Sequence, residues 1–167
     1  MSLAVMLVLA STFGLAAVMK LRHRASFQRV LAALAGDAAA RTLVLVVPAG
    51  ELALAATLLA GAQPRAVALA TLAVLLVFSW TLVRLREQPQ IPSCNCFGTS
   101  ASDPAGGLAR NAALSVLAVA LVIAPHGGAA WSHPFADVVA AATVSLGAVC
   151  AWQLAAALAP ARRALPR

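Results

Sequence analysis

The chain has 167 residues, of which 62% are hydrophobic and only 10% charged, with a mean hydropathy of +0.91. A soluble domain of this size could not bury so much apolar side chain, since globular chains are about 45–50% apolar and about 25% charged. The net charge of +7 would suit nucleic acid, but the basic residues sit at the ends of apolar runs rather than in one tract. That pattern suits anionic lipid head groups and argues against a nucleic-acid partner.

Five apolar runs approach the roughly 20 residues needed to cross the hydrocarbon. They cover approximately 2–19, 42–60, 66–83, 108–124 and 135–159. None alternates with the period of a barrel strand, and backbone groups in lipid must be satisfied within each segment, so each run reads as a helix. The first run begins without Lys or Arg and is followed by Lys20, Arg22 and Arg24. This is the reverse of signal-peptide polarity, and it predicts a retained helix with its N-terminus outside.

Between the first two spans, Phe27, Val30, Leu31 and Leu34 follow an i, i+3, i+4, i+7 pattern. The spacing predicts a short amphipathic helix at the membrane interface. Gly61 to Pro64 forms a tight turn between the second and third spans, and His126 to Gly128 with Pro134 bounds the turn between the fourth and fifth. No repeat or separate soluble domain is visible, so residues 1–167 read as one membrane domain.

With these spans, eleven of the twelve Lys and Arg residues fall on one side and only Arg65 on the other. The positive-inside rule then places the N-terminus outside and the C-terminus in the cytoplasm. The 84–107 connection lies on the cytoplasmic side.

That connection carries Pro92-Ser-Cys94-Asn-Cys96-Phe-Gly98. Two thiols one residue apart can form a dithiol/disulfide couple. The ring closed between residues i and i+2 is small, so the bond departs from relaxed geometry, and strained exposed disulfides are the readily reduced ones. Arg86, Arg110 or the first-turn amides of the fourth span could stabilise a thiolate. The bland alternative is a pair of ordinary loop cysteines. A zinc or iron–sulfur site would need more ligands than this loop supplies, so no metal is expected.

Cys150 lies inside the fifth run, where a lone cysteine usually serves as a small hydrophobe; a third relay thiol is the alternative. Glu51 sits mid-span, three residues after Pro48. A charge at such depth costs on the order of 2.5–3.5 kcal/mol on insertion scales and usually faces the bundle interior. Either the carboxyl takes a proton, or a cation such as Lys20 or Arg110 reaches it. Three roles fit: a proton acceptor for thiol chemistry, a ligand for a quinone or other polar head group, or interhelical hydrogen bonding.

Several of these features occur together in a known pattern. Gly14-Leu-Ala-Ala-Val-Met-Lys20-Leu21 closing the first span resembles the start of the DoxX/MauE membrane family. Pro48-Ala-Gly-Glu51-Leu52 resembles its Pro-x-x-Glu-Leu signature, and Cys94-Asn-Cys96-Phe97-Gly98 resembles the Cys-Gly-Cys-Phe-Gly loop of MauE-type proteins. Arg110-Asn111 resembles the Arg-Asn pair that opens their next helix. The match covers roughly residues 10–120. Asn95 stands where glycine is usual; asparagine tolerates unusual backbone angles better than most residues, but it adds bulk beside the sulfurs.

The resemblance implies an all-α integral membrane bundle, a four-helix core to which this chain adds a fifth C-terminal span, in the bacterial inner membrane. It implies a thiol–disulfide oxidoreductase role with a thioredoxin-like partner, as in maturation of methylamine dehydrogenase. Cys94 and Cys96 would be the redox pair, supported by Glu51, Lys20, Arg110 and Asn111, with no cofactor beyond the cysteines. The alternatives are a non-catalytic assembly subunit for a redox enzyme and a quinone or small-molecule carrier that uses Glu51.

Overall fold

The computed structural model describes residues 2–61, 64–87, 104–123 and 134. Five helices occupy them: α1 (Ser2–Arg22), α2 (Arg24–Ala35), α3 (Asp37–Ala60), α4 (Pro64–Glu87) and α5 (Pro104–Ile123), with no strand among the described residues. Four of these, α1, α3, α4 and α5, are long and apolar enough to span a membrane. The expected fifth span, 135–159, lies outside the described residues.

Each long helix exceeds its apolar run at one or both ends. α4 extends through Arg84 and Arg86, cations in its last turn that complement the C-terminal end of the helix dipole. Both α4 and α5 begin on a proline, Pro64 and Pro104, where the fixed φ is favourable and the missing N–H costs nothing. The helix that carries the fourth apolar run thus begins at Pro104, ahead of Leu108 where the run itself starts. Arg110 does not open that helix but sits in its second turn, facing partly inward.

The inward stripes follow the helical period. On α3 they are Ala40, Val44, Pro48, Glu51, Ala55 and Leu58, and on α5 they are Asn111, Leu114, Ala118 and Leu121. Leu9, Ala10, Phe13, Leu75 and Ala118 meet in one core cluster. The opposite faces stay apolar and outward, with Val46, Leu69, Leu76, Val116 and Ile123 exposed, as lipid-facing surfaces require. Buried hydroxyls are satisfied locally: Thr12 donates to the Val8 carbonyl at 2.7 Å and Thr71 to the Val67 carbonyl at 2.8 Å.

α1 packs along α3, and α4 along α5, whereas the α1–α5 and α3–α4 seams are sparser. The α4–α5 pair is an antiparallel hairpin, since Ser79 meets Asn111 and, nearer the connection, Leu82 meets Gly107. The α1–α2 junction at His23 is a slight break: its amide still bonds the Met19 carbonyl at 2.9 Å. The expected amphipathic helix is α2, which buries Phe27 and Val30 and packs along α3.

Two glycines test this architecture in opposite ways. Gly36, between α2 and α3, has φ 83° and ψ 161°, a region essentially closed to other residues. Gly36→Ala should cost about 1–3 kcal/mol. At Gly107 an added Cβ would lie 2.9 Å from Leu82 Cδ1, the movable end of a side chain. There Gly107→Ala should change stability by less than about 1 kcal/mol, because alanine's helix propensity offsets the adjustment. Unfolding titrations in mixed micelles measure both.

Candidate functional site: a buried ionic centre

Glu51 and Lys20 are brought together by the same geometric rule acting on two antiparallel helices. The Cα–Cβ bond of a helical residue tilts toward its helix N-terminus. Lys20, near the C-terminal end of α1, is thereby aimed back into the bundle. Glu51, midway along α3, is tilted toward the end at which α1 terminates. Lysines near span ends ordinarily snorkel outward to the interface. Lys20 does not: it is 5% exposed and donates through Nζ to Oε1 of Glu51, itself 2% exposed.

The other helices close around this pair. Lys20 Nζ lies 4.7 Å from the centroid of the Phe78 ring on α4 and 5.8 Å from that of Phe27 on α2. Desolvated cation–π contacts of this kind contribute about 2 kcal/mol. Arg110 on α5 is within electrostatic range of both Lys20 and Glu51. Beside it, Asn111 is buried and its Nδ2 donates to Ser79 Oγ at 3.3 Å, while Ser79 donates to the Leu75 carbonyl at 2.8 Å. Glu51 Oε2 is buried and accepts no hydrogen bond among the described residues.

The centre thus draws side chains from all five described helices. Of the four supporting residues expected from sequence, Lys20, Glu51 and Arg110 come together in it, while Asn111 is buried on α5 against Ser79. Cys94, Cys96 and Cys150 lie outside the described residues. Phe78 and Ser79 were not anticipated. Their signal was the α4 stripe of Ala68, Thr71 and Leu75, which, continued by one turn, reaches both.

Lys20 and Arg110 also change the accounting of surface charge. Both were counted among cations facing the head groups, yet Lys20 is fully buried and Arg110 is half-buried. The arginines expected on that side at positions 22, 24, 29, 41, 84 and 86 are exposed, as is Arg65.

These features define a multi-pass helical membrane protein with an ionic centre inside its bundle. The family profile described as methylamine utilisation protein MauE matches residues 1–124. The chain belongs to that family. No curated protein and no solved structure matches it.

Proposed function

We propose that this chain is a membrane thiol–disulfide redox protein in which Cys94 and Cys96 exchange electrons with a thioredoxin-like partner. The observation that carries the reading is the family match over residues 1–124, a range that contains the cysteine pair. The convergence of Lys20, Glu51 and Arg110, and the burial of Asn111 beside Arg110 in sequence, support it. The segment holding the thiols joins α4 to α5, whose facing turns supply Phe78, Ser79, Arg110 and Asn111.

In the proposed exchange, one cysteine thiolate attacks a sulfur of the partner's disulfide. A mixed disulfide forms and the partner's other sulfur leaves as a thiolate. The second cysteine then displaces the partner, so the pair is oxidised to a disulfide while the partner receives two electrons and becomes a dithiol; the reverse sequence reduces the pair. Maturation of a disulfide-rich enzyme subunit, as in methylamine utilisation, is one use of such exchange. The excess of exposed arginines at one end of the bundle supports a plasma-membrane orientation with the cysteine segment cytoplasmic.

Replacing Cys94 and Cys96 separately with Ser tests the reading. One variant is expected to accumulate a mixed disulfide with a thioredoxin-fold protein, because the resolving thiol is gone. If neither variant captures one and both retain function, the chain acts as a non-catalytic assembly subunit and the redox reading fails.

A further inference from the structure

The outward face of α4 carries an ordered series of side chains away from the ionic centre. Ala73, Val77, Trp80, Arg84 and Glu87 recur at i, i+4, i+7, i+11 and i+14, one stripe of the helix, and all are exposed. Val77 and Trp80 are each 59% exposed, and α4 ends at Glu87. Tryptophan near the end of a span sits at the level of the lipid head groups. From mid-span outward, the stripe therefore runs apolar, aromatic, cationic and then anionic.

The two charges at its end are positioned without saturating each other. The Arg84 guanidinium lies 5.3 Å from the centroid of the Trp80 ring, a contact that restrains it beside the ring. Arg84 Nη1 and Glu87 Oε2 are 3.6 Å apart, beyond hydrogen-bond length. Both groups keep their hydrogen-bonding capacity, and an exposed pair of this kind contributes little by itself. Glu87 stands about 4.5 Å farther along the helix axis than Arg84.

We propose that this stripe binds a zwitterionic phospholipid whose phosphate is followed by a primary ammonium. The phosphate accepts from Arg84, the ammonium donates to the Glu87 carboxylate, and an acyl chain lies along Trp80, Val77 and Ala73. The order of charges selects among head groups. An anionic head without an ammonium leaves Glu87 with a phosphate nearby and no cation to answer it. A quaternary ammonium brings the charge but has no N–H to donate. The ethanolamine head group satisfies both residues.

The test uses the full chain carrying Trp131→Phe and Trp152→Phe, which leaves Trp80 as its one tryptophan. It is placed in phosphatidylcholine nanodiscs with a minor share of acyl-brominated lipid, and quenching of Trp80 fluorescence is measured. Brominated phosphatidylethanolamine is expected to be enriched beside Trp80 about threefold over brominated phosphatidylcholine, the scale of one exposed charge contact. It should also exceed brominated phosphatidylglycerol. Glu87→Gln should erase the preference and Glu87→Lys should make phosphatidylglycerol the strongest quencher. Arg84→Gln should weaken the preference, because the phosphate no longer sets the ammonium opposite Glu87. Arg86→Gln removes the same charge from the other side of the helix and should leave the ratios unchanged. These positions are exposed, so the variants keep the fold. Equal quenching by the three lipids, or strongest quenching by phosphatidylglycerol with Glu87 intact, overturns the proposal. So does a preference that neither Glu87→Gln nor Arg84→Gln alters.

Discussion

Glu51→Leu is expected to destabilise the bundle by about 3–5 kcal/mol, the cost of breaking a buried ion pair by removing one partner. Lys20, 5% exposed, would lose its only carboxylate among the described residues, and Arg110 would lose a favourable neighbour. Lys20→Met together with Glu51→Leu should cost clearly less than the sum of the single changes. The second substitution removes the charge that the first leaves stranded. Unfolding in mixed micelles gives all four corners of this cycle. Additive costs would mean that Lys20 and Glu51 are not energetically coupled, and the ionic centre would lose its structural basis.

The cycle also separates the centre from the neutral contact beside it. Asn111→Leu removes the donor to Ser79 Oγ, but Ser79 retains its bond to the Leu75 carbonyl. Interhelical hydrogen bonds in membranes average about 0.6 kcal/mol, so this change should be several-fold milder than Glu51→Leu.

Much of this was legible in the sequence for reasons that can be named. An apolar run must become a helix in lipid, which is why 42–60 and 66–83 sit inside α3 and α4. Phe27, Val30, Leu31 and Leu34 announced α2 because only one face of it is apolar. Glu51 announced a buried partner because a bare carboxylate is not tolerated at that depth, and Lys20 was among the candidates.

Arg110 was harder to place. The fourth apolar run begins only at Leu108, yet Pro104 is well suited to the first position of a helix and Gly107 allows α5 to approach Leu82 closely. The helix therefore starts earlier than hydropathy alone suggests, which carries Arg110 into the bundle. Phe78 and Ser79 were hidden for a different reason. Within a uniformly apolar span, the inward face is set by tertiary neighbours and only faintly by periodicity.

The functional claim rests on Cys94 and Cys96 cycling between dithiol and disulfide. A neighbouring pair closing a small ring should have a readily reversible bond, whereas two unrelated loop thiols would stay reduced in a cytoplasmic setting. The direct measurement is the redox state of this pair in living cells. Cells are quenched in acid, free thiols are capped with a maleimide polymer, and the chain is resolved by size with and without prior reduction; a Cys150→Ser background leaves only the pair to count. The account predicts a population carrying no adduct before reduction and two after it, which shifts transiently with an oxidant pulse and recovers within minutes. A chain that carries both adducts before and after the pulse, its two thiols permanently free, would contradict it.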